Sequence, residues 1–249
     1  MIETDSTLVY SFCFLPDGKH LAVGGDRRNA LIYDTQSGGL VHVFGEIDHS
    51  NQLAVSPDGR VLATCGPGNA ALLWDLASGE QRALLEGRTM PCTMAFNSTG
   101  DVLATGSQDG TVRLWDVASG RAMRVLPADT EVLKLAFSPN GQGLATGGRD
   151  CVIRLWNENT DSLIRTFEGH VGYIHALAFT SDGRRLASGG KDNSVRIWDV
   201  ASGKQLLLLD RHTSRVFTVA FSPDDRFLAT GGEDKTTVLW PIAPWAPTE

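Results

Sequence analysis

Apolar and polar positions along the chain fall into short blocks, and no block keeps the period of a helix. The stretch from Tyr173 to Lys204 shows the grammar: YIHALAF, TSDG, RRLASGG, KDN, SVRIWDV and ASGK. Its first run is apolar and stops at a turn signal. The same place elsewhere holds Pro-Asp-Gly at 16–18 and 57–59, Pro-Asn-Gly at 139–141 and Ser-Asp-Gly at 181–183. The second run is short and rich in small residues: LAVGG from Leu21, LATCG from Leu62, LATGS from Leu103, LATGG from Leu144, LASGG from Leu186 and LATGG from Leu228. Such a strand suits a position crowded by both neighbours. A third run, such as Val112-Arg113-Leu114-Trp115, alternates with the two-residue period of a strand. Ala-Ser-Gly turns at 77, 118 and 201 lead to a fourth run, for example Gln205–Leu209. Four short strands per unit predict an all-β chain.

The unit repeats. Its closing aromatic falls at Tyr33, Trp74, Trp115, Trp156, Trp198 and Trp240, at intervals of 41, 41, 41, 42 and 42 residues. The series Phe14, Val55, Phe96, Phe137, Phe179 and Phe221 keeps the same steps. A lone four-stranded sheet cannot bury both its faces, so sheets of this kind stack around an axis as a β-propeller. The units resemble WD repeats, named for the pair present here as Trp74-Asp75, Trp115-Asp116 and Trp198-Asp199. One propeller domain over 1–249 is expected, with blades at 8–44, 49–85, 90–126, 131–167, 173–209 and 215–240 and a tail at 241–249. The tail carries Pro241, Pro244 and Pro247, which cannot donate to a ladder, so the last blade is expected to lack its outer strand. Met1–Thr7 is too short to supply that strand, so the ring either closes without a latch or belongs to a longer propeller.

The resemblance implies a hydrogen-bonded tetrad in each blade. His170, Ser188, Asp192 and Trp198 fit it, as do His212, Thr230, Asp234 and Trp240. The third and fourth units keep Thr105, Asp109 and Trp115, or Thr146, Asp150 and Trp156, without the His. The first two also lose the Asp, with Arg27 and Gly68 in its place, and are expected to be the least rigid.

Charge narrows the partner. Lys plus Arg number 22 and Asp plus Glu 29, a net charge of −7, which leaves no basic nucleic-acid footprint over the whole chain. No apolar stretch approaches the roughly 20 residues of a membrane span, and the acidic start Met1-Ile2-Glu3-Thr4-Asp5 is unlike a secretory signal. Cys13, Cys65, Cys92 and Cys151 form no C-x-x-C pair and read as small hydrophobes, which favours a cytoplasmic location.

Catalytic chemistry is present only by residue type. His170, Ser188 and Asp192 contain the letters of a hydrolase triad, but the set recurs at His212, Thr230 and Asp234, as scaffolding would. No G-x-S-x-G elbow, zinc or calcium motif, or dinucleotide loop is present, and no cofactor is expected. His170 and His175 read as an accident of the repeat. Asn97-Ser98-Thr99 matches a glycosylation acceptor but occupies a turn position.

Proteins with such repeats dock partners on the face that leads into the first strand and joins the second to the third. The lead-in positions are Leu8, His49, Met90, Glu131, Tyr173 and Arg215; the turn positions are Gln108, Arg149, Lys191 and Glu233, with Asp26 and Pro67 in the irregular blades. Met, aromatic and Arg side chains are enriched at interface cores. Arg149, Lys191 and Arg215 would form one positive arc, suited to an acidic protein or peptide segment. The expected function is a non-catalytic interaction scaffold. The alternatives are a regulatory module of a longer signalling protein and, last, an enzyme using the axial channel. The incomplete blade also offers a route to self-association.

Overall fold

Each Leu-Ala run becomes the second strand of an antiparallel sheet whose strands follow chain order. The computed structural model describes residues 8–25, 29–45, 52–65, 69–87, 89 and 91–242. The first sheet holds β1 (Val9–Phe14), β2 (His20–Gly25), β3 (Ala30–Asp34) and β4 (Leu40–Phe44). The second holds β5 (Leu53–Val55), β6 (Val61–Cys65), β7 (Ala70–Asp75) and β8 (Gln81–Glu86). The third holds β9 (Pro91–Phe96), β10 (Val102–Ser107), β11 (Thr111–Asp116) and β12 (Ala122–Pro127). The fourth holds β13 (Val132–Phe137), β14 (Leu144–Gly148), β15 (Ile153–Trp156) and β16 (Leu163–Phe167). The fifth holds β17 (Ile174–Phe179), β18 (Arg185–Gly190), β19 (Val195–Asp199) and β20 (Gln205–Leu209). The sixth has β21 (Val216–Phe221), β22 (Phe227–Gly232) and β23 (Thr237–Pro241), and no fourth strand among the described residues. These are the six blades of a β-propeller. Among the described residues there is no α-helix.

The chain groups into two compact units, Met1–Glu131 and Val132–Glu249, with three blades each. In the first unit β5 packs beside β1 and β9; in the second β17 packs beside β13 and β21. The period-2 alternation of a strand explains the Leu-Ala signature. Leu186 faces Ala145, Ile153 and Phe167 of the preceding blade, while its neighbour Ala187 faces Val216 and Leu228 of the following one. Leu62 and Ala63 divide the same way in the first unit. The large residue fills the gap behind and the small one admits the next blade. The fourth strands of the first four sheets each add one buried apolar residue, Phe44, Leu85, Leu126 or Phe167, at 1% exposure, whereas Leu209 at the same place in β20 is only half-buried. Phe12 is an exception: it is 65% exposed, although Leu53, Met94, Leu135, Leu177 and Val219 at the same place are buried.

The turns obey their residues. Gly18, Gly59, Gly141 and Gly183 take φ of 65 to 70°, and in the sixth blade Asp225 adopts φ 54° instead. Aspartate tolerates that region better than most side chains. Its carboxylate accepts the backbone N–H (2.9 Å) and the hydroxyl (2.6 Å) of Ser181, which joins the fifth and sixth blades. Asn97 is a turn residue too: buried, it accepts N–H bonds from Gly100 (3.0 Å) and Val102 (3.1 Å) through Oδ1. Pro241, the first residue of the expected tail, ends β23 opposite Phe227.

Candidate partner-binding surface

The tetrad residues come together in the fifth and sixth blades. His170 Nδ1–H donates to Asp192 Oδ2 (2.8 Å), Ser188 Oγ–H donates to His170 Nε2 (2.7 Å), and Trp198 Nε1–H donates to Ser188 Oγ (2.8 Å). In the sixth blade His212 meets Asp234 at 2.9 Å and Thr230 at 2.8 Å, and Trp240 donates to Thr230 Oγ1 at 3.0 Å. Burial works against the charge of Asp192, but hydrogen bonds from His170, Val171 N–H and Ser194 overcome it and hold the carboxyl well below the usual range. Asp234 is lowered likewise, against burial, by Thr236, Thr213 N–H and His212. Ser188 is fully buried, which denies a substrate any approach to its oxygen.

Blades without the His solve the same problem differently. Trp74, Trp115 and Trp156 still donate to Thr64 (2.9 Å), Thr105 (2.9 Å) and Thr146 (3.0 Å). Asp109 pairs with Arg113 at 3.1 Å and Asp150 with Arg154 at 2.6 Å, four residues along the hairpin. Against the cost of burial, bonds from Ser107, Thr111 and Arg113 hold Asp109 down to about 2. In the fifth blade, where His170 takes the Asp, the corresponding Arg196 turns to Gln205. These arginine substitutes are a feature that the tetrad pattern alone conceals.

The tetrad turns also place the loop residues. Lys191 N–H donates to Tyr173 O and Glu233 N–H to Arg215 O, each at 2.8 Å, so a lead-in residue and a turn residue are joined in each blade. Gly172 permits the approach, since a Cβ there would lie 2.5 Å from Asp192 N. Within the second unit this gathers a cationic and aromatic cluster. Arg149 Cζ lies 5.3 Å and Lys191 Nζ 4.7 Å from the centre of the Tyr173 ring. His175 on β17 stands edge-on to Tyr173 (6.4 Å) and to Phe217 on β21 (5.5 Å). Arg215 reaches Glu233 at 3.5 Å, and Ser214 Oγ–H holds the same carboxylate at 2.6 Å. Burial, then the charges of Arg215, Lys191 and Arg149, lower the pKa of His175, so the ring is neutral at pH 7; its Nε2 is buried without a hydrogen-bond partner.

Of the expected docking residues, Tyr173, Arg215, Arg149 and Lys191 thus meet. Leu8, exposed, and Glu131, half-buried, belong to the first unit. His49, Met90, Asp26, Pro67, Arg27 and Gly68 lie outside the described residues. Sequence reasoning missed His175 and Phe217, one residue inside each first strand; their place just after the lead-in position was the available signal. Among the described residues no group of His, Cys, Asp and Glu is arranged to hold a metal ion.

No curated protein matches the chain. The family described as WD domain, G-beta repeat matches residues 3–34, 39–75, 79–116, 120–157, 161–199 and 203–241. Its six matches span nearly the whole chain, and each ends on, or one residue after, the third strand of one of the six sheets. With the blades and their Trp–hydroxyl bonds, they make this chain a member of the WD-repeat family.

Proposed function

We propose that the chain is a non-catalytic interaction module that binds an acidic protein or peptide segment on the loop surface around Tyr173. The observation that carries this reading is the placement of two cations against one half-buried tyrosine ring, with Arg215 and the neutral His175 beside it. An aromatic anchor surrounded by cations offers apolar area and charge complementarity at once. Burial of Ser188 supports the non-catalytic reading. Free thiols at Cys13 and Cys151 support a cytoplasmic setting.

The test is capture of partners by the tagged chain, compared with Tyr173→Ala and Arg215→Ala. Each substitution is expected to weaken a captured acidic partner by tenfold or more, the lower end of about 1.4 kcal/mol for an interface anchor. Melting temperatures should stay within about 2 °C, because both side chains lie outside the packed blade interfaces. Undiminished capture by both variants would remove this surface from consideration.

A further inference from the structure

In the fifth and sixth blades one backbone bond joins the lead-in residue to the turn residue, so their side chains emerge as neighbours. The fifth blade sets a cation, Lys191, against the Tyr173 ring, whereas the sixth sets a carboxylate, Glu233, against a cation, Arg215. The sign of the turn residue is reversed. At His175 the charges of Arg215, Lys191 and Arg149 act together and that of Glu233 opposes them, so Glu233 belongs electrically to the docking cluster.

Glu233 is tied down, and Arg215 is not. Ser214 Oγ–H donates to Glu233 Oε2 at 2.6 Å. Arg215 Nε stands 3.5 Å from the same oxygen, well beyond the roughly 2.7–2.9 Å of a charge-assisted hydrogen bond. The two Nη nitrogens of Arg215 make no hydrogen bond among the described residues. Both side chains are nearly half exposed, at 44% for Arg215 and 45% for Glu233. A pair so long and so wet is weakly held. A guanidinium is best satisfied by two parallel bonds to one carboxylate, and Glu233, held by Ser214, supplies neither.

We infer that Glu233 is a built-in competitor for Arg215 and sets the threshold that this surface imposes on acidic segments. The inference rests on reading the Tyr173 surface as the docking site of such a segment. In the unbound chain Glu233 neutralises Arg215 without saturating it. A partner's Asp or Glu that forms both parallel bonds displaces Glu233 into solvent, and only a weak pair is lost. A carboxylate that arrives without that geometry meets Glu233 as a like charge beside the guanidinium and is turned away.

The experiment titrates the full chain into a fluorescent, end-capped hexaglutamate peptide and reads anisotropy. Glu233→Gln should tighten binding by about threefold to tenfold, since it removes both a half-exposed competitor and a like charge. In the Arg215→Ala chain the same substitution should change affinity by less than about twofold, because the competitor has nothing left to occupy. Ser214→Ala alters no charge but releases the carboxylate, and it should tighten binding by about twofold. Unchanged or weaker binding by Glu233→Gln makes the carboxylate a bystander or a support for Arg215 and overturns the inference. An equal gain in the Arg215→Ala chain, the mark of bulk charge alone, overturns it too, as does weaker binding by Ser214→Ala. If Tyr173→Ala and Arg215→Ala leave the affinity intact, or if no chain binds the peptide, the docking surface itself is wrong and the competitor falls with it. If both weaken binding while Glu233→Gln fails to tighten it, the surface stands and only the competitor is lost.

Discussion

At the scale of single residues, the hydroxyl of the tetrad is worth more where it serves two partners. Ser188 accepts from Trp198 and donates to His170, whereas Thr146 serves Trp156. Ser188→Ala strands two buried polar groups, and with about 1–3 kcal/mol for each it should cost about 2–6 kcal/mol. Thr146→Val strands one and should cost about half as much; thermal melts compare the two, and equal losses would refute the partner count. The carboxylates add a pH dependence with a definite sign. Asp192 titrates below its unfolded value, so its contribution is complete above about pH 5 and disappears as the pH falls toward the folded pKa. Asp192→Asn should therefore narrow the gap between melting temperatures at pH 7 and pH 3; an undiminished gap would place the acid sensitivity elsewhere. His175 responds in the opposite chemical sense. Its lowered pKa keeps the docking cluster one charge short at pH 7, and protonation on acidification adds that charge. Acidification from pH 7 to 5.5 should tighten binding of an acidic segment whose carboxylates stay ionised, and His175→Phe should remove the gain.

At the scale of strands and blades, two networks distribute rigidity unevenly. The fifth and sixth blades tie first-strand lead-in, second strand and turn through His170 and His212. In the third and fourth, Arg113 and Arg154 hold the turn only to its own hairpin. Backbone amides of β18 should accordingly exchange more slowly than those of β6, whose blade lacks both His and Asp; amide hydrogen exchange with mass spectrometry measures this, and equal protection would deny the tetrad a stabilising role. The elements were legible because turn glycines, Leu-Ala pairs and terminal tryptophans each answer to a local geometric need. Asp225 shows the limit, since the letters Asp224-Asp225 hide a left-handed turn that only Ser181 across the blade boundary makes secure. In the sequence Arg113 is only an alternating polar position, for its value and that of Arg154 depend on an absent His in another strand. His175 was set aside for the same kind of reason: spacing from His170 says nothing about Phe217, 42 residues away on the neighbouring first strand.

At the scale of the whole molecule, the charge balance opposes the local site. The chain carries −7 overall, yet Arg149 and Lys191 lie against the Tyr173 ring and the charge of Arg215 acts on His175 beside it. At low ionic strength the Debye length is about 30 Å at 0.01 M and shrinks to about 8 Å at 0.15 M, so an approaching acidic segment first meets the net negative charge. The cations act only within the last few ångströms, where screening is weak. Salt should therefore accelerate association between 0.01 and 0.15 M and leave the dissociation rate nearly constant, the reverse of a steered encounter. Arg215→Glu lowers the net charge by two, from −7 to −9, and should steepen the salt dependence of association as it raises the dissociation rate. Stopped-flow binding of an acidic peptide across that salt range decides the matter: association that slows as salt is added would mean that a positive field extends well beyond the Tyr173 cluster.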